Sequence, residues 1–213
     1  MKSHLKSFAL SISVAAVSCA VASAQEASKF TFNAGVGFTQ PVGNTGRRLD
    51  TGWTLGLGAG YNFVPRVGAM LQFDYTSLGI NSTTLNREGF PGGNVNIWDF
   101  TLDPVVHVSP HASFDTYIIG GVGIYHRNQE FTAPTTAAVT AFDPFFGFYQ
   151  VGVPATQVLS SFTVYKPGVN IGAGVAFGSK WHAKFYGEAR YHKLFLGNDR
   201  HSDYIPVTFG VRF

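Results

Sequence analysis

The closing stretch Tyr204-Ile-Pro-Val-Thr-Phe-Gly-Val-Arg-Phe213 decides the fold. Taken with a period of two, Ile205, Val207, Phe209, Val211 and Phe213 share one face. Tyr204, Pro206, Thr208, Gly210 and Arg212 share the other. Successive side chains of a strand point to opposite faces, so this stretch predicts a strand with one wholly apolar side and one mixed side. An apolar side that finishes on an aromatic ring suits a face that meets lipid.

Seven earlier segments repeat the pattern. Phe30, Phe32, Ala34, Val36 and Phe38 alternate with Thr31, Asn33, Gly35, Gly37 and Thr39. Trp53, Leu55, Leu57, Ala59, Tyr61 and Phe63 alternate with Thr54, three glycines and Asn62. The third runs from Val67 to Thr76, and the fourth from Trp98 to His107. The fifth, about Thr116 to His126, is apolar on both faces; Ile118, Gly120, Val122 and Ile124 are assigned outward. The sixth carries Val169, Ile171, Ala173, Val175 and Phe177 outward, and the seventh Ala183, Phe185, Gly187, Ala189 and Tyr191. Each segment spans about 9–11 residues, the length a tilted strand needs to cross hydrocarbon. Connections alternate long and short, as in a meander with one plain side and one elaborated side. The expected fold is all-β, an eight-stranded antiparallel up-and-down barrel, closed by pairing Tyr204–Phe213 with Phe30–Thr39. Pro206 removes a ladder donor and is expected at the outer rim, where pairing ends.

Residues 1–24 stand apart. Lys2 and Lys6, a short apolar run from Phe8 and Ala22-Ser-Ala24 match a secretory signal peptide, so the expected mature domain is 25–213. The competing lipoprotein signal, with Cys19 lipidated, has a poor motif before the cysteine. Cleavage after Ala24 removes the one cysteine, and disulfide chemistry with it. It also takes two of the 15 basic residues, leaving them one ahead of the 12 acidic ones. Such a balance does not imply nucleic acid as a partner.

A soluble barrel alternates too, with its apolar face inward. That arrangement would turn Gly35, Gly37, Gly56, Gly58, Gly60, Gly172 and Gly174 outward and leave the strands unshielded. Turned inward, the same glycines make room for larger polar side chains. Trp53, Tyr75 and Trp98 then mark the outer ends of their strands, and Tyr61, Phe63, Trp181 and Phe213 the inner ends. Two aromatic girdles around an apolar band belong to a transmembrane barrel.

On these residues the chain resembles the small outer-membrane β-barrel proteins of the OmpA transmembrane-domain and OmpX type, over about Phe30 to Phe213. The most specific part is the closing strand: Ile205, Val207, Phe209, Val211 and Phe213 look like the signal that the outer-membrane assembly machinery recognises in that family. The resemblance implies the outer membrane of a diderm bacterium, reached by signal-directed export. It implies outer-membrane lipid and the barrel assembly machinery as partners, and a monomer with no cofactor. The peptidoglycan-binding domain of OmpA has no counterpart here, so no cell-wall tether is expected.

Two constellations could carry function. The inward faces place Asp74, Asp99 and Asp103 on one wall and Lys184, Glu188, Arg190 and Arg212 on the opposite wall. Paired across a narrow lumen, these charges form a brace; left as a file, they would line a path for small ions or solutes. The second lies in Arg127–Pro167, whose length is unusual for a connection. There Phe142, Phe145, Phe146, Phe148 and Tyr149 form an aromatic patch on the outer side. Either the loop folds over the barrel mouth while strands five and six continue through Val158 to Tyr165, or the patch is exposed and binds an extracellular partner, lipid or another copy. His126, His192, His201 and Ser202 are the candidates for a lipid-modifying enzyme, but no nucleophile motif surrounds them and no enzyme is expected. Asp199, His201 and Asp203 could hold a cation, but alternating acids such as Asp199 and Asp203 in a polar loop are more simply solvated. The expected role is structural or surface-interactive, carried by the outer loops, with a narrow porin-like channel as the alternative.

Overall fold

The computed structural model describes residues 29–109, 114–178, 183–197 and 200–213. The signal segment 1–24, Trp181 and Asp199 lie outside them. Among the described residues, eight antiparallel strands close into one barrel in sequence order. They are β1 (Phe30–Val42), β2 (Gly52–Val64), β3 (Val67–Gly79), β4 (Gly92–His107), β5 (Phe114–Asp143), β6 (Gly147–Phe177), β7 (Lys184–Gly197) and β8 (Arg200–Arg212). Two short helices, α1 (Gly43–Gly46) and α2 (Ser82–Glu88), sit in the β1–β2 and β3–β4 connections. Asn81 caps α2 by accepting from the Thr84 backbone N–H at 2.8 Å, and Gly89 ends it with φ 77°.

The barrel closes where the alternation requires. β8 pairs with β1 from Asn33↔Arg212 to Val42↔Asp203, and Phe32 and Phe213 exchange both backbone hydrogen bonds. The outward set is confirmed, including the ambiguous β5: Ile118, Val122 and Ile124 are exposed, while Tyr117, Ile119 and Tyr125 are buried. Tyr75, Trp98, His126 and Tyr165 are register neighbours across β3 to β6 and make a contiguous outer aromatic band. At the other end Phe114, Phe177 and Phe185 form a matching row, and Phe30, Tyr61 and Phe63 stack edge to face.

Three expectations need correction. The strands outrun the length needed to cross hydrocarbon, because hydrogen-bonded pairing persists above the aromatic band, where no apolar outer face is required. Pro206 does not mark the end of pairing. It is buried, pairs with Thr39, and the strand continues outward through Tyr204 to Arg200. Its missing N–H shows instead as a gap in the β7–β8 ladder between Ala189↔Val207 and His192↔Tyr204. Finally, Arg127–Pro167 is not a loop over the mouth. β5 and β6 do continue through Val158 to Tyr165, with Arg127–Thr132 still paired to β4. Beyond Thr132 they run on as a two-stranded ribbon up to Asp143↔Gly147.

The interior is layered. Leu49, Leu78, Ile80, Val95, Ile97, Tyr125, Leu194 and Tyr204 form an apolar septum toward the outer end. Met70, Val105, Tyr117, Ile119, Ala176 and Tyr186 fill the inner end. Asp74, Asp99, Asp103, Glu188 and Arg190 lie between the two. Arg212 packs into the inner cluster against Tyr117 and Tyr186, and Asp115 and Asp203 are buried at the inner and outer ends.

Candidate functional site

Inward-facing positions on β3, β4, β6, β7 and β8 converge on the charged layer. Arg190 is its hub. Its Nη1 donates to Asp103 Oδ2 at 2.8 Å, and its Nε donates to Glu188 Oε1. Asp103 is fully shut from solvent and also accepts from Thr101 Oγ1 at 2.6 Å and Asn170 Nδ2 at 2.8 Å. Arg212 Nη2 lies 3.9 Å from Glu188 Oε2, and its guanidinium stacks 4.1 Å from the centre of the Tyr117 ring. Asp74 and Asp99 stand directly opposite each other in register. Like charges placed so destabilise a sheet, and neutral donors answer them: Gln72 Nε2 to Asp74 at 3.3 Å and Tyr204 Oη to Asp99 at 3.3 Å.

Six of the seven charges expected in the lumen are therefore buried, all but Arg212 in one layer, and the cross-lumen pairing takes its specific form in Arg190 with Asp103. Lys184 is not among the buried groups; it is half-buried and pairs in register with Arg212 at the inner end. Sequence reasoning missed the neutral partners Thr101, Asn170 and Gln72. It gave His192 a place only among the enzyme candidates, whereas that residue is fully buried, faces Tyr125 Oη across 3.0 Å and stacks on Tyr204. All four lie on inward phases of their strands, the one signal that could have found them.

The candidate hydrolase residues do not assemble. His126 lies in the outward aromatic band against Trp98 and Tyr165, whereas His192 is inside. Ser202 bonds Thr45 Oγ1 across 3.4 Å, and His201 Nε2 lies 3.1 Å from Asp203 Oδ2. Among the described residues no group of three or more His, Cys, Asp or Glu side chains is placed to hold a metal ion.

The aromatic patch sits at the tip of the β5–β6 ribbon. Asp143 Oδ1 accepts from the backbone N–H of Phe145 at 2.8 Å and of Phe146 at 3.1 Å, and Gly147 adopts φ 75°. That Asx-type turn throws both phenyl rings outward: Phe145 is 92% and Phe146 85% exposed. Phe142 and Phe148 pair on one face of the ribbon, 5.1 Å between ring centres, and Tyr149 is exposed beside them. The ribbon leaves the barrel at Thr132, where β4 pairing ends and a register shift against β6 occurs. A bulge at such a point re-aims a strand. From His126 to Pro167 no residue is buried. At ~3.3 Å per residue the free part has a contour of roughly 40 Å.

Comparison with known proteins agrees with this architecture. The family model described as "Outer membrane protein beta-barrel domain" matches residues 11–213. Among curated proteins none matches the chain by sequence. Among solved structures, Neisserial surface protein A is similar with a TM-score of 0.58 at 12% identity, covering 86% of this chain and 95% of that one. The outer membrane protein OprG of Pseudomonas aeruginosa is similar with a TM-score of 0.53 at 12% identity, covering 86% and 94%. A major outer membrane protein of Thermus thermophilus is similar with a TM-score of 0.50 at 12% identity, covering 87% and 98%. At these identities the likeness concerns the fold alone. With a family match that takes in every strand from Phe30 to Arg212, the chain belongs to the outer membrane protein β-barrel domain family of the bacterial outer membrane.

Proposed function

We propose that this barrel is a rigid outer-membrane stand that presents the β5–β6 ribbon as a surface-interaction element. The observation that carries this reading is the pair of almost fully exposed phenylalanines, Phe145 and Phe146, at the end of a ribbon without a buried residue. Exposed aromatic rings held in water lose free energy only when a partner covers them. Across Arg127–Pro167 the charges are Arg127, Glu130, Asp143 and Lys166 alone, so the tip favours an apolar partner surface. Replacing Phe145 and Phe146 by Ser leaves the Asp143 turn in place, since both of its bonds come from backbone N–H groups. The double variant should keep the heat-modifiable gel mobility of the folded barrel. Cell adhesion measured with outer-membrane vesicles carrying it should fall about tenfold. Undiminished adhesion would reject the ribbon as the working surface.

The same reading treats the lumen as a brace and not a path. It is supported by the apolar septum stacked above the charged layer. A purified barrel in a planar bilayer should therefore show no sustained single-channel current. Asp103→Asn combined with Arg190→Gln should lower stability without opening one. A stepwise rise in current would favour the narrow porin-like channel instead. Export directed by residues 1–24, insertion through Ile205–Phe213 by the assembly machinery and a monomeric state in lipid complete the proposal.

A further inference from the structure

We propose that the outer mouth of the barrel is a binding site for a polyanion bearing clustered phosphate or sulfate groups. The site is distinct from the aromatic tip. A cavity of about 790 Å³ opens there, between the α1 and α2 connections, the foot of β5 and the outer ends of β7 and β8. That volume lies within the range of small-molecule sites. Four arginines line it, Arg48, Arg87, Arg127 and Arg200, brought from four separate stretches of the chain. Among the described residues the one acid in the lining is Glu88, and it is engaged by its neighbour Arg87 at 3.2 Å. Such an exposed pair is weak and easily exchanged.

The other three arginines have no carboxylate within ion-pairing distance among the described residues. Arg127 is the most constrained. It is half-buried, its Nη2 donates to Gln129 Oε1 at 3.0 Å, and its Nε is shut from solvent with no hydrogen-bond partner. Burial, and then the charge of Arg48, push it below the ordinary arginine range. A guanidinium held beside another cation with an unused donor is set to accept an oxyanion. The planar fork matches phosphate and sulfate oxygens two at a time. The floor of the cavity is the apolar septum, through Leu49 and Ile80, so the field of the arginines is poorly screened from below. Four cations around one cavity fit several anionic groups on one molecule better than a single ion. Such groups occur both on soluble polyphosphorylated or polysulfated molecules and on phosphorylated headgroups of the surrounding leaflet.

The test uses the full barrel refolded in zwitterionic detergent, titrated calorimetrically with inositol hexakisphosphate and, as the neutral control, inositol. Binding of the hexakisphosphate alone is expected, weakening steeply with added salt. Arg48→Gln and Arg200→Gln, at exposed positions that leave folding intact, should each weaken it about tenfold, and Arg127→Gln by more. Arg47→Gln removes the same charge next to Arg48 but outside the cavity, and should leave affinity within twofold. A second arm adds vesicles with or without a bisphosphorylated glycolipid. Binding to the glycolipid vesicles that Arg48→Gln abolishes, with no binding of inositol hexakisphosphate in the first arm, would assign the site to a lipid headgroup. No binding in either arm, or equal loss with Arg47→Gln and Arg48→Gln, would overturn the proposal.

Discussion

Arg190→Met should cost the barrel about 3–5 kcal/mol of unfolding free energy, the usual penalty for removing one partner of a buried ion pair. Arg190 is the guanidinium that bonds Asp103 and Glu188 together, and Met leaves both carboxylates without it in a layer closed above and below by apolar side chains. Arg212 cannot substitute. Its guanidinium is committed to the Tyr117 face and reaches Glu188 only at 3.9 Å. Urea titration of the barrel in phospholipid vesicles, followed by tryptophan fluorescence, measures the loss. Adding Asp103→Asn should recover part of it, since contacting charges couple. A loss below about 1 kcal/mol, or simple additivity in the double variant, would mean that the network does not brace the barrel.

The second large effect is expected at the closing seam. Gly37 pairs with Thr208, and a Cβ built there runs into the Val207 carbonyl oxygen. It would also lie 2.8 Å from the Val207 carbonyl carbon and 2.9 Å from Thr208 Cα. All three atoms are backbone, so no side chain can turn aside. Gly37→Ala must therefore part β1 from β8 locally, at about 2–3 kcal/mol, the upper part of the usual range for overpacking. Gly187→Ala is the matched control. Its Cβ would meet only the Phe209 ring, at 3.3 and 3.4 Å, on the exposed outer face where the ring can swing away. That change should stay within about 0.5 kcal/mol. The temperature at which the folded band converts in detergent gels should fall for Gly37→Ala and stay put for Gly187→Ala. Equal behaviour of the two would contradict the seam geometry.

The two predictions differ in how far the sequence foresaw them. Gly37 is legible as an inward position in an alternating strand, but the closeness of the Val207 carbonyl is not. Arg190 is legible as an inward charge facing an acidic wall. Its choice of Asp103 and Glu188, with Asn170 and Thr101 completing the shell, is not. The aromatic tip was legible in composition from Phe142 to Tyr149. Its exposure depends on the ribbon continuing to Asp143, where side chains facing water on both sides no longer need to alternate.

By itself the sequence determined the number of barrel strands, their order, the face each turns outward and the pairing that closes the ring. The reason is local: lipid on one side imposes a period of two that each strand carries within its own residues. Only the tertiary structure decided which charges meet, where the septum lies and that Arg48, Arg87, Arg127 and Arg200 surround one cavity. Those contacts cross the lumen or join separate connections, so they depend on the stagger between strands. No single strand encodes that stagger.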